Sequence, residues 1–292
     1  MAADSERIAD LRAAVTSAID GEWAIEPLGG TSGRTFLATG PRSLVLRLGM
    51  RADVARRLSA LHVSPVVVAI GSIGGEDFVL QEKLDAPVSV DPAWMRANRM
   101  AVAELLSRYL GDAQLGRLAP QLELRAYVEL LVARLMARDP ARESLGARLI
   151  QSMPPDGEST TAATHGDPNT ANFLLSKGLW LVDWDDLARA DPMRDIGQVA
   201  WWYLDEKTWP SFVVACGQPP TAVRRIHWWA AVESLDVALR LADTDGEAAE
   251  AFLGDFDAAV SGRSNPRGGV SLSGRAERSG CGGRRSRDRT GA

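Results

Sequence analysis

Hydrophobic and polar positions change period once along this chain. Over the first 85 residues the apolar runs are short and rich in β-branched side chains: Ala24–Leu28, Arg34–Thr39, Ser43–Leu48, Val66–Ile70 and Phe78–Leu84. Gly40-Pro41 and Gly74-Gly75 punctuate them, so each run predicts a strand, the last two as a hairpin. A helical pattern over Ala52–Leu61 interrupts the strands, and Met1–Asp20 mixes charged and apolar residues as a surface helix does. From Asp91 onward apolar residues recur at i, i+3 and i+4 across Pro92–Leu110, Leu122–Arg138, Arg142–Met153, Pro192–Leu204, Val223–Leu241 and Glu247–Val260. The fold class implied is α+β. A small antiparallel-sheet lobe spans residues 1–85 and a larger helical lobe residues 86–261, with a hinge near Asp85–Pro92 and a ligand cleft between the lobes.

Charge adds a third segment. Residues 262–292 carry eight Arg against Glu277 and Asp288, a net of +6, so an overall −5 leaves −11 on the rest. Gly, Ser and Arg dominate this stretch, and it cannot bury enough apolar surface to offset its ordering entropy, which predicts a disordered extension. A nucleic-acid-binding tail is the alternative, and the acidic body argues against it. With 46% apolar and 24% charged residues the composition is that of a soluble globular protein. Cys216 and Cys281 are too few for a disulfide framework, no Cys/His cluster indicates zinc, and no apolar run is long enough to span a bilayer. The N-terminus has no signal-peptide pattern, so a cytoplasmic setting without a membrane partner is the expectation.

The chemistry concentrates in Thr164-His165-Gly166-Asp167-Pro168-Asn169-Thr170-Ala171-Asn172, followed by Leu181-Val182-Asp183-Trp184-Asp185. Pro168 biases Asp167 away from helix, leaving its carboxylate held in a loop, fit to take a hydroxyl proton. Asn172 offers an amide oxygen to a metal ion, and Asp183 ends an apolar strand where a second oxygen ligand would face the cleft. Mg²⁺ takes such donors together with phosphates, and the set matches what phosphoryl transfer from a nucleotide requires. A plain Asx turn at Asp-Pro-Asn is the bland alternative. His165 reads as a loop buttress rather than a base. Asp185 and Asp186 make three acids within four residues, which calls for a cation. Asp191-Pro192 has the form of a helix start, and capping accounts for Asp191. Asp195, ahead of the apolar run Ile196–Leu204, needs partners if buried, and loop amides near His165 are candidates. Gly29, Gly30, Ser32 and Gly33 lie between two strands, where backbone amides can approach phosphates. Arg47 alternates with apolar neighbours and either points into the cleft toward nucleotide phosphates or faces solvent. The Trp201-Trp202 and Trp228-Trp229 pairs sit at core spacing, so packing explains them better than a cation–π site.

These residues resemble the aminoglycoside phosphotransferase and choline kinase superfamily, which has a protein-kinase-like fold. His165-Gly166-Asp167 with Asn172, then Asp183-Trp184-Asp185, then Asp191-Pro192 with Asp195 stand in that family's order and spacing, within a resemblance over about residues 22–260. The resemblance implies a bilobal kinase-like enzyme with ATP or GTP and Mg²⁺ as cofactors. Asp167 is then the base, Asn172 and Asp183 the metal ligands, and Asp195 the brace of the catalytic loop. Arg47 becomes the phosphate-contacting base of the third strand, and Gln81-Glu82-Lys83-Leu84 the adenine-binding hinge. The family's usual Glu on the small-lobe helix is missing, with only Asp53 nearby. The acidic body with Asp185 and Asp186 favours a cationic acceptor, such as an aminoglycoside, another basic antibiotic or an amino alcohol. The alternatives are a small-metabolite kinase for choline, homoserine or an amino sugar, and a non-catalytic nucleotide-binding relative.

Overall fold

The computed structural model describes residues 2–28, 33–155 and 160–266. Helix α1 (Ala2–Ala18) precedes strands β1 (Ala24–Pro27), β2 (Thr35–Thr39) and β3 (Ser43–Leu48), then α2 (Ala52–Ala60), β4 (Val67–Ile73) and β5 (Glu76–Glu82). The strands form one antiparallel sheet in the order β1-β2-β3-β5-β4. Alternation sends Ile25, Phe36, Leu44, Leu46, Phe78 and Leu80 to one face, where they meet Leu11 and Val15 of α1 in a small separate core. The β4–β5 hairpin turns at Gly74-Gly75, both left-handed (φ 58° and 84°), the twist-matched turn that glycine alone adopts without strain.

Beyond the hinge come β6 (Val88–Ser89), α3 (Pro92–Ala97), α4 (Arg99–Leu110), α5 (Ala113–Leu118), α6 (Leu124–Arg138) and α7 (Glu143–Gln151). Strands β7 (Ala162–Thr164), β8 (Phe173–Ser176), β9 (Gly178–Leu181) and β10 (Ala188–Ala190) follow, and then α8 (Met193–Tyr203), α9 (Trp209–Ala215), α10 (Ile226–Leu241) and α11 (Gly246–Val260). The expected single helix Pro92–Leu110 is two. It breaks at Asn98, whose backbone leaves the helical region (φ −111°, ψ 24°) although its N–H keeps the Trp94 carbonyl (2.8 Å) and its Nδ2 bonds the same oxygen (3.0 Å). The elements α5, α9 and β10 are too short for periodicity to have marked them. Both tryptophan pairs are buried in the large core, as packing predicts. Asp191 does more than cap: it accepts the Met193 N–H (3.0 Å), pairs with Arg225 (2.9 Å) and accepts from Trp229 Nε1 (3.1 Å).

Although α2 lies between strands in sequence, its buried residues Val54 and Leu58 join the large helical core rather than the sheet's own core. Arg57 of α2 pairs with Asp112 at the start of α5 (Nε–Oδ1 2.9 Å), fastening the small lobe's helix to the large lobe. This docking fixes where α2 can and cannot reach.

The sheet also contains a tight cross-strand contact. Gly71 of β4 pairs with Phe78 of β5, and a methyl on Gly71 would stand 2.4 Å from Phe78 Cζ, a ring that is itself fully enclosed. Gly71→Ala is expected to cost about 1–3 kcal/mol through forced displacement of that ring. It should appear as a drop of several degrees in melting temperature; an unchanged melting curve would show that the ring moves freely.

Candidate functional site

The loop between β7 and β8 is held from beneath by one carboxylate. Asp195, in the first turn of α8 and wholly buried, accepts the N–H groups of His165 (2.6 Å) and Gly166 (2.9 Å) and the hydroxyl of Tyr109 (2.7 Å). Burial, with Asp195 adding to it, drives the Tyr109 hydroxyl well above its ordinary range, so it stays a proton donor. Gln198 donates to the Gly166 carbonyl (2.9 Å), and the Tyr203 hydroxyl receives the Thr170 N–H (3.2 Å). Gly166 is left-handed (φ 90°), and a Cβ there would meet the Asp186 carbonyl at 2.7 Å and the Arg194 guanidinium at 2.8 Å. Only glycine fits.

His165 is enclosed. Its Nε2 bonds the Val182 carbonyl (2.9 Å), which can only accept, so Nε2 carries the proton and Nδ1 takes the Asp167 N–H (3.2 Å). Its ring packs edge-on against Trp184, which meets Tyr109 the same way. Both ring nitrogens are thus engaged within the loop, the buttress the sequence indicated.

Asp167 presents its carboxylate from this frame. Oδ2 accepts from Asn169 Nδ2 (2.8 Å) and Asn172 Nδ2 (3.3 Å). Asn169 Oδ1 in turn accepts the Ala171 N–H (2.8 Å), so the Asx turn and the carboxylate-orienting loop are one object. Asn172 also donates Nδ2 to the Asp167 carbonyl (2.9 Å), which turns its Oδ1 to the opposite side. The Asn172 carbonyl receives the Val182 N–H (3.0 Å), bringing Asn172 beside the end of β9 where Asp183 follows. Asp183 is left-handed without being glycine (φ 68°), a strained conformation of the kind that collects at functional sites.

Across the cleft Arg47 of β3 points inward, with its side chain 11% exposed. Its Nη2 reaches Asp183 (2.7 Å) and Asp185 (2.8 Å), while its buried Nε has no hydrogen-bond partner. Arg47 lines the interlobe cavity, where its positive charge fits an anionic ligand. Asp185 therefore lies on the Arg47 side of the cleft. Asp186 turns the other way, to Arg240 of α10 (3.0 Å), which also holds Asp236 (2.7 Å). Partial burial works against the Arg240 charge, but Asp236, Asp186, Asp167 and Glu233 outweigh it and raise its pKa. Glu233 lies deeper, paired with Arg194 (2.9 Å); burial pushes its carboxyl up to about 7 while Arg194 pulls it down.

The interlobe cavity measures about 230 Å³ and is walled by Leu28, Val45, Met50, Leu174 and Val182, with Arg47 and Asp183 at one end and Glu82-Lys83-Leu84 at the hinge. Gln81 lines it too, but its Nε2 is bonded to Ser64 Oγ (3.0 Å) and the Pro65 carbonyl (3.1 Å), so this side chain braces the hinge. Gly33 is left-handed and sterically open; Gly29, Gly30 and Ser32 lie outside the described residues. Asp53 is engaged by Arg51 (2.6 Å), not by Arg47.

Residues 24–229 match the phosphotransferase enzyme family. The chain belongs to that family. It is accordingly a small-molecule phosphotransferase that uses ATP. Among solved structures it is similar to a choline/ethanolamine kinase family protein from Mesorhizobium loti, at 21% identity with TM-score 0.62 over 88% of this chain and 94% of the other. It is also similar to the choline kinase LicA from Streptococcus pneumoniae (14%, TM-score 0.64, 89% and 98%). A spectinomycin phosphotransferase in complex with ADP and spectinomycin matches at 13% and TM-score 0.53 over 87% and 93%. These likenesses establish the bilobal kinase-like α+β fold of this phosphotransferase. No helix among the described residues is long and apolar enough to cross a membrane.

Asn169, Gln198 and Tyr109 are among the residues around this loop that went unmarked in sequence. The available signal for Gln198 was a polar residue inside the apolar run of α8, one turn after Asp195. Asp195→Asn replaces one acceptor oxygen by a donor that faces a backbone N–H. The expected loss of stability is about 1–3 kcal/mol for the amide left unpaired, larger than for Tyr109→Phe, which leaves both amides bonded; thermal unfolding of the two variants compares them.

Proposed function

We propose that this phosphotransferase carries out Mg²⁺-dependent transfer of the γ-phosphoryl group of ATP or GTP to a hydroxyl of a small, cationic molecule. The observation that carries the reading is the placement of the Asp167 carboxylate, oriented by Asn169 and Asn172 on a braced loop beside Asn172 and Asp183. In this reading Asp167 accepts the acceptor's hydroxyl proton as the new O–P bond forms and the bond from Pγ to the departing nucleoside diphosphate breaks. Orientation and charge stabilisation carry such a reaction.

The donor chemistry fits Mg²⁺: the turned-out Oδ1 of Asn172 and the Asp183 carboxylate are hard oxygens on one side of the loop. When bound, the ion neutralises phosphate charge that would otherwise repel Asp183. Arg47, which lines the same cleft, supplies a cation for the phosphate oxygens. The apolar walls and the hinge segment Glu82–Leu84 would take the base.

Around Arg240, which also senses Asp167, the carboxylates of Asp186 and Asp236 add acidic charge that supports a cationic acceptor. Arg240 already neutralises part of that charge, which favours one or two positive groups over many. The fold neighbours support no finer choice, since choline kinases stand as near as the antibiotic phosphotransferase.

A pooled panel of aminoglycosides, peptide and macrolide antibiotics, choline, ethanolamine, homoserine and amino sugars, incubated with Mg²⁺ and ATP or GTP and read by mass spectrometry, tests the proposal. A phosphate-sized mass gain on one member, abolished by chelator and reduced by roughly 10²–10⁴ in Asp167→Asn, is the expected result. An Asp167→Asn variant with full transfer activity would remove Asp167 as the base.

A further inference from the structure

We propose that Asp185 is the positioning carboxylate for Arg47, and that it serves the nucleotide side of the cleft rather than the acceptor. The inference rests on the nucleotide-site reading above and deepens it. A guanidinium with only 11% of its side chain exposed needs a carboxylate partner to stay fixed. The small lobe's own helix provides none: α2 is docked on α5 through Arg57 and Asp112, and its Asp53 is engaged by Arg51. The partners Arg47 does have are Asp183 at 2.7 Å and Asp185 at 2.8 Å, both on Nη2. These two differ in what a bound nucleotide would leave them. Asp183, strained and beside Asn172, is the carboxylate suited to the metal, so it would be drawn off Arg47. Asp185 then remains as the anchor, holding Nη2 and so fixing the guanidinium charge where it lines the cleft.

The arrangement also crosses the lobes. Arg47 stands on β3 of the sheet, and Asp185 follows Trp184, which is buried against Tyr109 and His165 of the helical lobe. A carboxylate so anchored ties the phosphate-facing cation to the frame that holds Asp167.

A double-mutant cycle tests this on the full chain, with affinity for Mg²⁺·ADP as the readout and no acceptor present. Asp185→Asn is expected to weaken binding about tenfold in the wild-type background and to add nothing in an Arg47→Gln background, because it acts only through Arg47. Asp185→Glu should recover part of the loss, and Asp53→Asn should bind as wild type does. Equal weakening by Asp185→Asn in both backgrounds would make Asp185 an independent contact, such as a metal ligand, and would overturn the proposal. So would unchanged affinity in Asp185→Asn. Failure of the wild-type chain to bind Mg²⁺·ADP would instead overturn the nucleotide-site reading itself, and this inference with it.

Discussion

The Asp195 carboxylate is the constraint around which the site is built. A buried carboxylate is tolerated only when its lone pairs are filled, and here two loop amides and the Tyr109 hydroxyl fill them. Hydrogen bonds to a charged group are worth about 1.5–3 kcal/mol each, so the loop cannot leave α8 without exposing the carboxylate to a dry core. Residue size narrows the geometry further. Gly166 lets the Asp186 backbone and the Arg194 guanidinium close against the loop, and Arg194 donates to the Asp186 carbonyl (3.2 Å). The loop between β7 and β8 and the acidic segment after β9 are therefore locked together through backbone, leaving side chains of both free to face the cleft.

That acidic segment divides its charges between two sides. Trp184 is buried on Tyr109 and His165, so its neighbours Asp183 and Asp185 both turn toward Arg47, and Asp186 turns toward Arg240. Three carboxylates within four residues would repel one another by an amount that a cation must offset. The cations are two arginines reaching from opposite directions, one from β3 and one from α10. A guanidinium suits both places because it can hold two carboxylates while keeping further donors for a ligand.

Much of this was legible along the chain because it obeys local rules. Short β-rich apolar runs bounded by Gly and Pro turns located all five strands of the sheet to within a few residues, and the position of Asp195 ahead of an apolar helix required buried partners of the kind found. What escaped was set by tertiary contact. The break at Asn98 is a departure of one residue's backbone from helical dihedrals, and the apolar period continues across it unbroken. Asn169 reads as a turn residue, and only the folded loop shows its amide on Asp167. Asp185 carried a clear message, that a cation must be near, but one-dimensional spacing could not say whether that cation belonged to an acceptor or to Arg47, which lies 138 residues earlier.

The placement of α2 explains why Arg47 looks to Asp183 and Asp185 at all. Amphipathic helices settle where their apolar stripe finds the most cover, and for α2 that is the large core: Val54, Ala55 and Leu58 are buried, and Arg57 is tied to Asp112. The polar residues left over face solvent, so Asp53 meets Arg51 two positions before it rather than the strand. The helix also touches β4 and β5 of its own sheet, and Ser59 Oγ accepts the Val67 N–H (3.2 Å), so its place between sheet and large core is fixed on both sides and Asp53 is left away from β3. The partner of the cleft cation must then come from the lobe that α2 has joined, and the segment after β9 is where that lobe approaches β3.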